Sequence, residues 1–107
     1  MNTNTTRIKI ADKKDIPVGK ALVVKAPDGR NIALFNVEGN IYALNNSCPH
    51  MGGPLGEGDI EDCLVTCPWH GWQFDIKSGE CQNMPGDDAT SIPIIVQGDD
   101  IFLESNG

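Results

Sequence analysis

Two short groups of metal-ligating side chains constrain this chain more than any other feature of its sequence. Cys48-Pro49-His50 and Cys67-Pro68-Trp69-His70 are separated by residues 51–66, and they contain both histidines of the 107-residue chain. Ligands in two such pairs converge on one centre only if both loops turn tightly and are held in place by a rigid scaffold of strands or helices. The sequence therefore predicts a metal site built from two loops, Asn45 to Gly58 and Cys67 to Gly71.

The ligand types narrow the choice of metal. Two thiolates and two imidazoles are the protein ligands of one kind of [2Fe-2S] cluster, in which two histidines replace two cysteines on one iron. We interpret Cys48 and Cys67 as the ligands of one iron and His50 and His70 as the ligands of the other. A closed zinc site with two cysteines and two histidines is the alternative that these four residues leave open.

The rest of the sequence is typical of an all-β protein. Polar and apolar residues alternate in several short runs, as they do in half-buried strands, and glycine-containing turns separate these runs. The clearest hairpin signal is Pro27-Asp28-Gly29-Arg30, which joins two β-rich runs at 20–26 and 31–37. Lys13 to Asp15 is the one segment that could be helical, but it precedes Pro17, so we expect a turn there. Lys77-Ser78-Gly79 predicts a turn that leads into another short strand after Gly79. This pattern predicts an antiparallel sandwich or small barrel.

Length and charge limit the classes of partner. A chain of 107 residues is expected to form a single domain over 1–107, and its net charge of −7 disfavours nucleic-acid binding. No stretch approaches the ~20 apolar residues of a membrane span, and residues 1–6 are polar. We therefore expect no membrane association and a cytoplasmic protein, and we expect it to be a monomer.

The segment CPHMGGPLGEGD and the later segment CPWHGWQFDIKSGE resemble the Rieske family. The resemblance is strong from Tyr42 to about Pro85 and elsewhere rests on pattern alone. It implies a Rieske-like antiparallel β fold with a small cluster-binding subdomain at about 45–86. It also implies a Rieske [2Fe-2S] cluster held by Cys48, His50, Cys67 and His70, and Met84-Pro85-Gly86 as a third loop covering the metal.

Several positions depart from the high-potential branch of this family. Gly53 and Trp69 stand where that branch has two cysteines joined in a disulfide. Trp72 and Phe74 stand where it has serine and tyrosine hydroxyls that donate hydrogen bonds to the cluster sulfurs. Fewer donors leave the charge of the reduced cluster less stabilised, so a low potential is expected. The chain thus resembles a soluble, low-potential Rieske-type ferredoxin of a non-haem iron oxygenase system.

This resemblance implies a one-electron carrier that is not itself an enzyme. A flavin-dependent ferredoxin reductase would supply the electron, and a terminal oxygenase would accept it. The chain cannot be the oxygenase, because a mononuclear iron site needs further histidines and both are already assigned. It also lacks a dinucleotide-binding glycine motif, so its electrons must come from another protein. The alternative is a Rieske-like small subunit of an assimilatory NAD(P)H nitrite reductase.

Overall fold

The residues that the structure describes form nine strands in three small sheets. A computed structural model describes residues 5–27, 29–46, 54–69, 71–83 and 88–106. The strands in chain order are β1 (Thr5–Asp12), β2 (Ala21–Lys25), β3 (Asn31–Val37), β4 (Asn40–Asn45), β5 (Asp59–Glu61), β6 (Leu64–Thr66), β7 (Gln73–Asp75), β8 (Ile94–Gln97) and β9 (Asp100–Asn106). Two 3₁₀ turns accompany them, Lys13–Asp15 and Leu55–Glu57.

All strand pairs are antiparallel. The three sheets have the strand orders β1-β9-β8, β2-β3-β4 and β5-β6-β7. The last of these, hereafter the small sheet, consists of strands of three residues each. This architecture confirms the all-β antiparallel fold that the sequence predicts, including the hairpin between β2 and β3. Among the described residues, no helix has the length and apolarity needed to cross a membrane.

The middle sheet is covered on both faces, and β3 shows why. Its residues from Ile32 to Val37 are all buried. Side chains alternate between the faces of a strand, so Ala33, Phe35 and Val37 enter one apolar core and Ile32 and Leu34 enter another. The first core is shared with Val65 and Phe74 of the small sheet, and the second with Ile101 and Leu103 of β9. The continuous apolar run in β3 is therefore typical of a strand buried on both faces.

A buried asparagine fixes the end of the middle sheet where β3 turns into β4. Asn36 is 4% exposed. Its Nδ2 donates to the Ile16 carbonyl at 2.7 Å, and its Oδ1 accepts from the Gly39 N–H at 2.9 Å. Glu38 and Gly39 both have positive φ, as a tight hairpin turn of this hand requires. Asn36 thus satisfies polar backbone groups that the apolar core would otherwise leave unpaired.

One exposed ion-pair group ties β1 to β9. Lys9 Nζ lies 2.8 Å from Asp12 Oδ1 and 2.9 Å from Asp100 Oδ1. The hydrogen bond from Lys9 lowers the pKa of the Asp12 carboxyl, and both carboxylates raise the pKa of Lys9. Solvent screens such exposed pairs, so they contribute little to stability beyond the strand pairing itself.

Local turn chemistry explains where the predicted elements begin and end. Lys13 to Asp15 forms a 3₁₀ turn, closed by the Ile16 N–H donating to the Lys13 carbonyl at 3.0 Å, which agrees with the predicted turn. The sequence also favoured a strand after Gly79. There the structure has only an isolated bridge between Cys81 and Phe74, with a bend at Gln82 and Asn83. Asp28 of the predicted hairpin turn lies outside the described residues.

Candidate metal centre

The second predicted ligand loop is a tight turn at one end of the small sheet. Cys67 directly follows β6 and is 1% exposed. Its N–H donates to the Trp72 carbonyl at 2.7 Å, and its carbonyl accepts from the Gly71 N–H at 3.0 Å. Gly71 has a φ of 76°, a conformation that favours glycine. These bonds close the chain between β6 and β7, while His70, within the turn, lies outside the described residues.

The first predicted ligand loop leaves the middle sheet after β4. Cys48 and His50 lie outside the described residues, as do Pro49, Gly52 and Gly53. Both ends of the loop are described: Asn46 follows β4, and Leu55 begins the 3₁₀ turn. The Leu55 N–H donates to the Asn46 carbonyl at 2.7 Å. The loop therefore departs from the middle sheet and returns to it at one point.

Close packing at Gly58 joins the bases of the two loops. Gly58 follows the 3₁₀ turn, and a Cβ at this position would overlap the carbonyl oxygen of Thr66. Thr66 is the residue before Cys67 and pairs with Asp59 across β5 and β6. The chain leaving the first loop thus runs against the strand entering the second loop. The structure brings the flanks of both predicted ligand pairs to the same end of the small sheet.

The flanks of a third segment lie beside the second loop. Met84-Pro85-Gly86, the predicted covering loop, lies outside the described residues. On its near side, the Gln73 N–H donates to Asn83 Oδ1 at 2.6 Å, and the Gln82 N–H donates to the Gln73 carbonyl at 2.8 Å. On its far side, Asp88 Oδ1 accepts from the Cys81 N–H at 2.9 Å. The sequence analysis did not predict either hydrogen bond; the signal that could have indicated them is an Asn and an Asp on either side of a Pro-Gly pair.

The two tryptophans of the second loop have different surroundings. Trp69 is 60% exposed at the turn between β6 and β7. Trp72 is half-buried and packs against the core shared by the middle and small sheets. Their position in the motif predicts that these rings shield the metal from water; the alternative is that they are core and interface aromatics. In the described residues, Trp72 contacts the core, and Trp69 is open to solvent.

The donor set fits an iron–sulfur centre. Cys67 provides a free, buried thiol at the closed end of the second loop, in contact with the apolar core. A thiol that is shielded from water and held by a rigid turn suits a cluster ligand, because bulk solvent does not compete for the metal. Cys63 and Cys81 lie in or beside the same core. Both histidines are assigned to the predicted site, so the sequence predicts that these two cysteines are spare thiols. Of the four predicted ligands only Cys67 is described, and the described residues alone contain no group of three or more side chains that could hold a metal ion.

Comparison with known proteins identifies the fold and the cofactor. The sequence pattern of the Rieske [2Fe-2S] domain matches residues 6–96. The chain is 39% identical over 100 residues to a 3-phenylpropionate/cinnamic acid dioxygenase ferredoxin subunit from Shigella boydii serotype 4 (strain Sb227), covering 92% of each protein.

Two solved structures have the same fold. One is the complex of reduced oxygenase and oxidised ferredoxin in carbazole 1,9a-dioxygenase, with a TM-score of 0.82, 21% identity and coverage of 95% of this chain and 94% of that one. The other is a Mycobacterium tuberculosis protein described as a candidate NADH-dependent nitrite reductase small subunit. Its TM-score is 0.86 at 21% identity, covering 96% of this chain and 97% of that one.

These matches confirm the resemblance that the ligand pairs indicate, and the iron–sulfur interpretation replaces the zinc alternative. The chain belongs to the Rieske [2Fe-2S] domain family, and its cofactor is a Rieske [2Fe-2S] cluster.

Proposed function

We propose that this protein is the ferredoxin component of a dioxygenase system. In this role it accepts one electron from a flavin-dependent ferredoxin reductase and passes it to a terminal oxygenase, without catalysing a reaction of its own. The observation that carries the proposal is the 39% identity, across 92% of both chains, to a dioxygenase ferredoxin subunit. We place the protein in the cytoplasm and expect a monomer, since a carrier must dissociate from each of its two partners.

The four predicted ligands form part of the proposal. Cys48 and Cys67 would hold one iron, and His50 and His70 would hold the other. The cluster supplies one-electron oxidation and reduction. The chain's own residues hold it at one end of the fold: Cys67 contributes a buried thiol, and the closed turn after β6 fixes the backbone around it. We further propose that 1–107 is one domain, with a cluster-binding subdomain at about 45–86.

A low reduction potential follows from the surroundings of the second loop. Phe74 is fully buried beneath it and offers no hydroxyl group. Trp72 likewise presents an indole ring at the position where high-potential relatives carry a serine. Hydrogen bonds from hydroxyl groups to the cluster sulfurs stabilise the reduced state, so the lack of a hydroxyl group at these two positions lowers the potential.

A fixed subunit of a nitrite reductase is the second candidate function. The same fold in a candidate NADH-dependent nitrite reductase small subunit favours it. At 21% identity that likeness shows the fold alone, whereas the dioxygenase ferredoxin subunit is much closer in sequence. The two functions differ in assembly, because a carrier binds its partners transiently and a subunit stays bound to a large catalytic chain.

Purification of the tagged holoprotein from its own host tests the proposal. We expect the carrier to elute free of other chains, and its cluster to be reduced by NADH only when a flavoprotein reductase is added. Addition of the terminal oxygenase should then reoxidise it. Stoichiometric elution with a sirohaem-containing chain, with reduction only inside that complex, would contradict the carrier and favour the nitrite reductase subunit.

Exposed Trp69 is expected to contact the electron-transfer partners. A large apolar ring at the tip of a ligand loop is the kind of group that anchors protein interfaces. Trp69→Ala should retain the cluster and its potential, but raise the KM of the oxygenase for the reduced ferredoxin by about tenfold. Steady-state oxygenase assays at varied ferredoxin concentration measure this change.

Val18→Ala is the matched control for that measurement. Val18 is 64% exposed, and it precedes Gly19, whose N–H donates to the Asn36 carbonyl near the hairpin between β3 and β4. This variant should have the wild-type KM. An unchanged KM in Trp69→Ala, or an equal rise in both variants, would remove Trp69 from the interface.

A further inference from the structure

Asn46 makes three hydrogen bonds at the base of the first ligand loop. Its N–H donates to the Asn31 carbonyl at 2.9 Å, and its carbonyl accepts from the Leu55 N–H at 2.7 Å. Its side-chain Oδ1 accepts from the Gly56 N–H at 2.7 Å. Asn46 therefore bonds to the middle sheet on one side and to Leu55 and Gly56, where the loop ends, on the other.

The surroundings of Gly56 make this base rigid. A Cβ on Gly56 would overlap Cγ2 of Val23 in β2, and it would lie 2.9 Å from Asn46 Oδ1. The backbone at Gly56 thus packs closely between β2 and the Asn46 side chain, and it has no room to shift toward either. Asn31, the backbone partner of Asn46, begins β3, whose other residues are all buried. The base of the loop is therefore anchored to a strand that is buried over six of its seven residues.

We infer that Asn46 is a positioning residue that sets the geometry of the cluster through the first ligand loop. The inference rests on the proposed ligands, because Cys48 and His50 lie between the two ends that Asn46 joins. The backbone bond to Leu55 alone would let the loop pivot about a single contact. The added bond to the Gly56 N–H attaches the chain at the end of the loop at two points, Leu55 and Gly56. These two bonds fix the direction of the backbone there. Ligand orientation, in turn, controls the potential and spectrum of a metal centre.

The contrasting interpretation is that Asn46 only stabilises the fold. Asn36, within β3, provides a control for that interpretation, since it is also an asparagine whose Oδ1 accepts a backbone N–H. It lies at the opposite end of β3, where no ligand loop begins. A general loss of stability should therefore affect both asparagines alike, whereas a positioning role belongs to Asn46 alone.

The experiment compares wild type, Asn46→Ala, Asn46→Asp and Asn36→Ala as holoproteins. Low-temperature EPR, a redox titration and the rate of iron release to a chelator are measured for each. Asn46→Ala should show shifted g values, a changed midpoint potential and roughly fivefold faster iron release, as expected for one lost hydrogen bond. Asn46→Asp keeps an acceptor oxygen at the same place, so its g values and iron release should return to those of wild type.

Asn36→Ala should melt at a lower temperature while keeping the wild-type g values and potential. Wild-type spectra and potential in Asn46→Ala would overturn the inference, as would equal changes in Asn36→Ala. If Asn46→Ala does not fold, Asn46→Ser gives the same comparison, because its shorter side chain does not reach Gly56. Absence of a Rieske signal from the wild-type protein would instead overturn the proposed cofactor role, which the wild-type sample reports separately.

Discussion

Cys67→Ser is expected to yield a folded protein without iron or colour. Serine is nearly the same size as cysteine, so the buried position after β6 should still pack. Thiolates bind iron, whereas the serine hydroxyl stays protonated near neutral pH and is a poor ligand. Loss of one of four protein ligands should reduce bound iron to a small fraction of the wild-type content. Iron analysis and the visible absorption spectrum of the purified variant measure this loss.

Cys63→Ser is the matched control for the ligand variant. Cys63 lies just before β6 on the same chain segment, is half-buried and packs against the same apolar core. This variant should retain the full cluster and the wild-type spectrum. Full iron content in Cys67→Ser would contradict the ligand assignment, and so would loss of iron in both variants, since that result would indicate general damage to the small sheet.

Phe74→Ala is expected to remove a large part of the stability of the fold. Phe74 is fully buried in β7, where it pairs with Val65 of β6 and bridges to Cys81. Its ring fills the core between the small sheet and the middle sheet. Truncating a buried phenylalanine costs about 3–5 kcal/mol, against total stabilities of about 5–15 kcal/mol for single domains. Thermal unfolding of the holoprotein should show a midpoint lowered by more than ~10 °C.

Val96→Ala provides the comparison for that measurement. Val96 lies on β8, at the edge of its sheet, and is 39% exposed. Its truncation should change the free energy of unfolding by no more than about 0.5–1 kcal/mol. If Phe74→Ala unfolds at a temperature within a few degrees of Val96→Ala, the core between the two sheets does not hold the fold together as described.

The sequence was sufficient to predict the class of the fold and the kind of site. Alternating patterns and glycine turns are local signals, so the strands around the 27–30 hairpin and at the β6–β7 turn were predictable. The apolar run of β3 was recognisable as a strand, but its burial between two layers depends on sheets formed by distant residues. The ligand pairs needed no tertiary information, since the residue types and spacing carry the chemistry.

The hydrogen bonds that support the site could not be predicted from the sequence, because they join residues seven and ten positions apart, a separation that neither strand alternation nor a tight turn fixes. Asn46 meets Gly56, and Asp88 meets Cys81, only after the sheets have assembled. In the sequence, Gly58 is indistinguishable from an ordinary loop glycine. The structure shows that a glycine is required there, because the Thr66 carbonyl oxygen leaves no room for a Cβ. In place of the strand predicted after Gly79, the structure has one bridge. The side chains of Asn83 and Asp88 accept hydrogen bonds from the backbone N–H groups of Gln73 and Cys81, and these bonds replace strand pairing.

An EPR-monitored redox titration of the purified protein tests the central claim most directly. The account predicts a Rieske-type signal from the reduced protein, with a midpoint near or below roughly −100 mV, at the low end of the Rieske range. Such a result would agree with a low-potential ferredoxin that lacks hydroxyl donors at Trp72 and Phe74. A Rieske signal with a midpoint well above zero would contradict the low-potential assignment, and the absence of any Rieske signal would contradict the proposed function.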